Sequence, residues 1–370
     1  MTDLSEHHDE LRQVARDLLA ASPDGDPGWA QLAELGWIGL EVPEALDGSG
    51  ATFAETAIVL EELGRAASTT AFFGTAVLGV GALAAVAPTD QRDQLLRQVA
   101  AGQRTVAVAL TAGGDEALAA PPFSLERTDG GLRLHGRAEF VVDAAEADDL
   151  LLLATHPGDP AAPGIAGGSR LVLVRVAPFL VEVDEVPVVD ATRRFGTVAA
   201  DRVEIDDDAV WAFTGDGGAA AQRVLDRAAV AVACDAMGLA GAMLDAMVAY
   251  LGERRQFGRQ IGSFQAVKHA CADLLVELTI GRELLTAAVA ASAAGDVDAG
   301  RAASRAASFV TAAAVDVVGE ALQLHGAMGY SWESGLHVYL KRAILDRSLY
   351  GSPAAHRRRL AALLIAARPA

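Results

Sequence analysis

The sequence predicts an α+β protein of three domains: an N-terminal all-α domain, a middle β-barrel or β-sandwich domain, and a C-terminal four-helix bundle. Two observations predict this order. Apolar residues recur at helical spacing near both ends of the chain, whereas short apolar or alternating runs fill the stretch between them. With 370 residues and 52% hydrophobic content, the chain can bury a core that suits several domains. We therefore place the domains at 1–102, 103–216 and 217–370.

The N-terminal region is predicted to be helical. Its first helix has one apolar face, made of Leu11, Val14, Ala15, Leu18 and Leu19. Similar patterns run from Trp29 to Leu35, from Phe53 to Arg65 and from Leu78 to Ala85. Within the last pattern, Gly79 to Ala84 matches the letters of a dinucleotide-binding motif, but no strand precedes it. We interpret these glycines as helix-packing positions.

The middle region is predicted to consist of short strands. Short apolar or alternating runs occupy Thr105–Thr111, Leu132–His135, Phe140–Val142, Leu150–Ala154 and Leu171–Val176. Asp129-Gly130 is a turn signal, and the prolines and glycines from Pro157 to Gly168 predict a loop between strands. The sequence lacks alternating βαβ patterns, so a nucleotide cofactor would have to bind without a Rossmann fold.

The C-terminal region returns to long helical patterns. These run over Ala219–Gly252, Phe264–Ala294, Ala299–Gln323 and Pro353–Ala367. Their alanine-rich composition suits closely packed helices, and the glycines at positions 326, 329 and 335 mark a loop before the penultimate helix. We expect a four-helix bundle here.

Composition excludes several classes of function. The formal net charge of −19 makes nucleic acid and anionic membrane surfaces poor partners, so an anionic ligand would need a local basic cluster. Cys234 and Cys271 lie in apolar helical patterns and are predicted to be buried free thiols. Charged residues interrupt the apolar stretch from Val224 to Leu251, and the acidic N-terminus is not a secretory signal. We expect a cytoplasmic protein without a metal site.

Three segments together resemble the acyl-CoA dehydrogenases. The segment from Arg254 to Gln265 matches the R-x-x-F-G-x-x-I-x-x-F-Q signature of that family. The segment from Gln323 to Tyr330 is similar to the family loop Q-x-x-G-G-x-G-[FY], with Ala327 in place of the second glycine. The segments Leu35–Glu44 and Glu61–Gly64 resemble its N-terminal helical domain. The resemblance covers essentially the whole chain and implies the same order of domains.

This resemblance implies FAD as the cofactor. In the family, residues matching Arg254, Gln256 and Phe257 contact FAD, and residues matching Gln323 and Gly326 reach its adenosine half across a dimer interface. The residues themselves suit such a role, because an arginine at a helix end and the exposed backbone around a following glycine can hold a pyrophosphate. These five residues are the cofactor-binding candidates.

No catalytic base is predicted. The family reaction needs a flavin to accept hydride from Cβ and a carboxylate to take the proton from Cα. In most members that carboxylate is a glutamate directly after a tyrosine, and here Gly351 follows Tyr350. In a minority it lies in the first bundle helix, where this chain has Ala228.

Three acidic residues are weighed as displaced bases: Asp226, Glu333 and Asp346. Three histidines near the final loops, His325, His337 and His356, are interpreted as structural, because no triad spacing accompanies them.

The middle domain also departs from the family near the flavin. The segment Leu110–Glu116 stands where a T-E-P-x-A-G-S-D loop is usual, with no clear match after Thr111. The family's W-I-T-N-G is replaced by the segment from Phe140 to Ala144, in which Val142 has no hydroxyl to donate.

The departures from the family pattern therefore affect residues expected near the flavin ring and the acyl group, whereas the residues expected at the adenosine half of FAD are present. We predict the base-lacking subunit of a heteromer, such as a heterotetramer, that completes the FAD site of a homologous catalytic subunit acting on an acyl-CoA thioester. Subunits of this kind often act on steroid side-chain thioesters. A homo-oligomeric enzyme with a displaced base, and a cofactor-free scaffold, are the alternatives.

Overall fold

The computed structural model describes residues 5–22, 25–113, 121–129, 131–157 and 170–366. Five α-helices precede the sheet: α1 Ser5–Ala21, α2 Trp29–Glu34, α3 Phe53–Arg65, α4 Val80–Ala85 and α5 Asp90–Ala100. A π-helical segment, Phe73–Gly79, runs directly into α4. Five more follow the sheet: α6 Gly217–Glu253, α7 Gln265–Ala294, α8 Ala299–Leu324, α9 His337–Asp346 and α10 Pro353–Ala366.

Within the described residues, eight strands form one mixed sheet between the two helical regions: β1 Val106–Ala109, β2 Phe123–Thr128, β3 Gly131–Val142, β4 Asp149–His156, β5 Arg170–Val176, β6 Glu182–Glu185, β7 Phe195–Ile205 and β8 Val210–Ala212. Their order is β6-β7-β3-β2-β4-β5-β8, with β1 pairing parallel to β4. A separate hairpin, β9 Arg255–Gln256 and β10 Arg259–Gln260, follows α6. The predicted fold class is confirmed.

The central element of the fold is α6. It packs against α3 of the N-terminal region and against α7, α8 and α9 of its own region. Close approach depends on glycine, because a Cβ at Gly238 would clash with the backbone of Glu61, and one at Gly64 with the backbone of Asp235. The C-terminal helices and the N-terminal helices therefore share one continuous core.

In the part of the chain that the structure describes, two helices, α6 and α8, are long and apolar enough to cross a membrane by length and composition. Of the apolar window in α6, 78% is buried inside the fold, and of that in α8, 44%. The apolar character of α6 is therefore explained by packing around the core.

The strand predictions were incomplete. The runs Leu132–His135 and Phe140–Val142 belong to one long strand, β3. They were predicted as separate strands because the pairing of β3 with β7 shifts register between Leu134 and Gly136 and between Ala138 and Val141, which interrupts the alternation of side chains. No strand was predicted at the positions of β2, β6, β7 or β8. Cys234 is buried, but Cys271 is only half-buried.

Several predictions fall partly outside the described residues. The loop predicted after Pro157 lies outside them from residue 158 to residue 169, and the segment predicted to replace the flavin loop lies outside them from residue 114. Gly130 of the predicted turn and Ala367 at the end of the predicted last helix also lie outside them. The domain boundaries at 102/103 and 216/217 stay predictions, close to where α5 ends and α6 begins.

Candidate functional site

The first group of cofactor candidates lies on the tight hairpin after α6. Arg254 caps the end of α6, and Gln256 pairs with Arg259 across the hairpin. The two turn residues, Phe257 and Gly258, have φ values of 50° and 77°. Positive φ at both central positions is the geometry of a type I′ turn, and this geometry favours glycine at position 258. The turn displays Phe257 with 91% of its surface exposed.

The second group lies in the loop after α8. Gln323 is exposed at the end of α8, and its side-chain oxygen accepts a hydrogen bond from the Tyr330 hydroxyl at 3.0 Å. Gly326 is exposed with a φ of 62°. The chain then turns through Tyr330, which is 73% exposed.

A ring stack joins the two groups. Tyr250, in the last turn of α6, stacks on His325 with ring centroids 4.7 Å apart. The backbone carbonyl of Tyr250 accepts the N–H of Arg254, and His325 lies between Gln323 and Gly326 along the chain. The fold therefore brings both groups of candidates to the same end of the helical bundle.

This donor set fits part of a dinucleotide. A guanidinium, a carboxamide and an exposed aromatic ring suit a phosphate, a polar base edge and a flat ring, respectively. Arg254, Gln256, Phe257, Gln323 and Gly326 are all exposed at the surface of the chain. A cofactor held by them would therefore lie at the outer surface of the chain.

The position expected for the base is occupied by backbone alone. Tyr350 has a φ of 52° and Gly351 a φ of 112°. The Tyr350 ring lies 5.9 Å from the ring of Phe73, and burial raises the pKa of its hydroxyl well above its usual value. Gly351 directly faces the ring of His356.

The alternative base position, Ala228, also lacks an acid and is buried. Ala228 has no exposed surface in α6. Its neighbour Arg227 crosses to the N-terminal region, where its Nε donates to the Val77 carbonyl at 2.8 Å and its Nη atoms donate to Glu41 at 2.5 and 2.6 Å. A Cβ at position 81 would come within 2.7 Å of that guanidinium, so Gly81 makes the crossing possible.

A buried ion cluster lies beside Tyr350, formed by Asp143, Arg193, Asp235, Arg342 and Asp346. Arg342 donates to Asp235 through two nitrogens, at 2.8 and 2.9 Å, and to the Thr192 hydroxyl at 2.6 Å. Arg193 lies 3.2 Å from Asp235 and has its guanidinium 4.5 Å from the Phe73 ring centre. The cluster ties α6 and α9 to the segment before β7.

The cluster shifts the pKa values of Asp235 and Asp346 in opposite directions. Burial alone would raise the pKa of Asp235, but the Arg342 and Arg193 charges hold it well below its usual value. Burial and the neighbouring Asp235 raise the pKa of Asp346 well above its usual value. Asp235 is therefore the countercharge of the two arginines.

The third acid of the cluster, Asp143, titrates near neutrality. Burial raises its pKa to about 6, although the charges of Arg193 and Arg342 and the backbone N–H of Gly74 act to lower it. Its carboxylate lies where a Cβ on Gly74 would be, so position 74 must be glycine. Asp143 follows Val142 directly and stands next to the position that the family resemblance assigns to the flavin ring.

Replacing Asp143 with asparagine should change the pH dependence of stability. Because the folded state raises this pKa from about 3.8 to about 6, the stabilisation is complete below pH 4 and is lost as pH rises through 6. From pH 4 to pH 7 the wild type should lose up to about 3 kcal/mol relative to Asp143→Asn. Urea unfolding across this range, with the exposed Asp201→Asn as control, measures the difference. Parallel curves for wild type and Asp143→Asn would contradict it.

The three acids weighed as displaced bases lie in different surroundings. Asp226 is ion-paired with Arg359, and Glu333 is exposed in a short turn after α8. Asp346 is fully buried in the ion cluster. Arg193, Asp235 and Arg342 were not predicted as site residues. The one available signal was Asp235, which is the one charged residue in the apolar run from Ala228 to Leu244.

A cleft of about 850 Å³ opens between α4, the start of α6, the α7–α8 loop and α10. Four arginines line it: Arg223, Arg227, Arg301 and Arg359. Four acids line it as well, namely Glu41, Asp226, Asp296 and Asp298. Arg227, Arg359 and Arg301 are ion-paired with three of them, so the cleft is not the basic cluster that an anionic ligand would need in so acidic a chain.

Comparisons with known proteins agree with this architecture. Residues 5–103 match the family model described as acyl-CoA dehydrogenase, N-terminal domain. Residues 215–365 match the model described as acyl-CoA dehydrogenase, C-terminal domain.

Among curated relatives, acyl-CoA dehydrogenase IpdE2 of Mycobacterium tuberculosis is 31% identical over 90% of this chain and 85% of its own length. IpdE2 of Mycolicibacterium smegmatis is 29% identical over 97% of this chain and 99% of its own length. Among solved structures, a variant of the Tcur3481-Tcur3483 steroid ACAD superimposes with a TM-score of 0.83 at 29% identity, covering 98% of this chain and 99% of that one.

Proposed function

This chain is a member of the acyl-CoA dehydrogenase family, and we propose that it is a base-lacking subunit that completes the FAD site of a homologous catalytic partner. In the reaction of such a complex, the Cα–H and Cβ–H bonds of an acyl-CoA thioester break and a Cα=Cβ double bond forms. FAD, when bound, accepts the hydride from Cβ, and a carboxylate takes the Cα proton. We assign that carboxylate to the partner.

One observation carries this proposal: the cofactor candidates are exposed, while the base positions hold no acid. Gly351 and Ala228 lack any acidic group. Arg254, Phe257 and Gln323 lie instead at the outer surface of the bundle. There the guanidinium would bind phosphate oxygens and the carboxamide would orient the adenosine half of the cofactor.

The outer face of α7 gives a second reason to propose a partner subunit. Only five residues of this long helix are buried, and Leu275, Val276 and Ile280 are about half-exposed. An apolar face of this kind on a bundle helix is typical of a subunit interface. The helix itself begins five residues after the β9–β10 hairpin, so one partner can contact both.

Replacing Val276 with aspartate should abolish assembly. A buried, unpaired carboxylate at the centre of an apolar interface costs several kcal/mol, enough to lower the association constant at least about 100-fold. Native mass spectrometry would show the lighter species. The matched control is Val297→Asp in the α7–α8 loop, where the valine is 98% exposed and assembly should be unchanged. Equal assembly of both variants would contradict the assignment of this face.

The substrate class follows from the same family and from one of its similar structures. The Tcur3481-Tcur3483 protein is named as a steroid ACAD. We propose an acyl-CoA thioester with a bulky acyl group.

The direct test is to assay desaturation of acyl-CoA thioesters by the isolated chain and by the complex with a co-expressed homologous subunit. The complex should be active and the isolated chain inactive. Turnover by the isolated chain would overturn the proposal.

A further inference from the structure

We propose that His356 fills the space that a side chain at position 351 would need, so that this chain cannot regain a base there by one substitution. A Cβ built on Gly351 would lie 2.9 Å from His356 Nε2, 3.3 Å from Cε1 and 3.4 Å from Cδ2. The whole edge of the imidazole ring therefore faces the missing side chain. This inference deepens the proposed function, on which its functional meaning rests.

The position of His356 is fixed by the start of α10. Pro353 begins the helix, the Ala355 N–H donates to the Ser352 hydroxyl at 3.2 Å, and the His356 N–H donates to the Ser352 carbonyl at 3.0 Å. These contacts cap the first turn of the helix. The imidazole one turn into α10 is thereby directed back at the residues that precede the helix.

Neighbours on two other helices hold the imidazole ring in place. His356 is only 6% exposed, and its Nδ1 lies 3.4 Å from the Ser304 hydroxyl of α8. Arg359 donates to that same hydroxyl at 3.3 Å and also pairs with Asp226 of α6. Moving the ring away from position 351 would disturb this chain of contacts across α6, α8 and α10.

The backbone adds a second obstacle. Gly351 has a φ of 112°, a conformation that residues with a Cβ rarely adopt. A glutamate at 351 would therefore have to change the backbone and displace the ring of His356 at once. The carboxylate that the family usually carries here has been replaced by packing between α10 and the preceding loop.

The test separates the clash from the backbone strain. Gly131 has a φ of 126° and nothing within 4 Å of a built Cβ, so Gly131→Ala measures strain without a clash. Gly351→Ala should lower the thermal midpoint at least about 3 °C further than Gly131→Ala does. In a His356→Ala background, the cost of Gly351→Ala should fall to that of the control. An equal cost of Gly351→Ala with and without His356 would overturn the inference.

A second measurement covers the case in which His356→Ala does not fold. The imidazole ¹H–¹⁵N resonances of His356 in the wild type and in Gly351→Ala report the same contact. A clear change in these resonances supports the inference, and unchanged resonances overturn it. Neither experiment depends on flavin content or on turnover, so failure here leaves the subunit assignment to be judged on its own assay.

Discussion

Replacing Asp235 with asparagine should lower the free energy of unfolding by about 3–5 kcal/mol at neutral pH, because it leaves two buried arginines without their countercharge. Arg342 donates two hydrogen bonds to this carboxylate, and Arg193 lies 3.2 Å from it. Asp346 can replace this countercharge only in part, because its carboxyl lies 4.0 Å from Arg193 and is fully buried.

The same helix supplies the matched control. Asp245, also on α6, forms an exposed ion pair with Arg65 at 2.7 Å. Asp245→Asn should cost no more than about 1 kcal/mol. Urea unfolding of both variants at neutral pH gives the comparison. The Asp235 contribution should fade in acid, because a carboxylate with a lowered pKa stabilises the fold only while it is ionised. Similar costs for the two variants would show that the ion cluster does not hold α6, α9 and the segment before β7 together.

Replacing Arg254 with alanine should weaken FAD binding by the assembled complex about 10- to 100-fold. A charge-assisted hydrogen bond to a phosphate contributes about 1.5–3 kcal/mol, and that range corresponds to this loss of affinity. Flavin retained after gel filtration, together with the dissociation constant from fluorescence titration, measures the effect. The α6 cap and the hairpin should persist, because Arg254 contributes to them only through its backbone.

Arg133→Ala is the control for a lost surface charge. Arg133 lies on β3, where it pairs with the exposed Glu204 at 3.6 Å. This variant should bind FAD like the wild type. If Arg254→Ala and Arg133→Ala retained flavin equally, the assignment of Arg254 to the cofactor would be wrong.

The helices were largely predictable from local sequence. The prediction of Phe53–Arg65 has the bounds of α3, because an apolar face there is preceded by a capping box of Thr52 and Glu55 that is visible in the sequence. The strands were less so. In β7, the alternation of buried and exposed residues is lost over Phe195–Val198, which are all buried, and no period-2 signal marks the strand.

Some residues of the candidate site could likewise be predicted from local sequence, and others could not. The cofactor candidates could be proposed because they lie in two short contiguous motifs, and the lack of an acid at the two expected base positions could be read from Gly351 and Ala228. The ion cluster could not, since Asp235 and Arg342 are 107 residues apart in the chain and meet only through tertiary packing. Nor could the sequence show that His356 faces Gly351, because that contact depends on the exact start of α10.

The most direct test of the subunit assignment is the flavin content and native mass of this chain, expressed alone and co-expressed with a homologous acyl-CoA dehydrogenase subunit encoded nearby. We expect little or no flavin in the chain alone and about one flavin per two chains in the co-expressed complex, since each site would draw on both subunits. A yellow homo-oligomer that carries about one flavin per chain and oxidises acyl-CoA by itself would contradict the assignment.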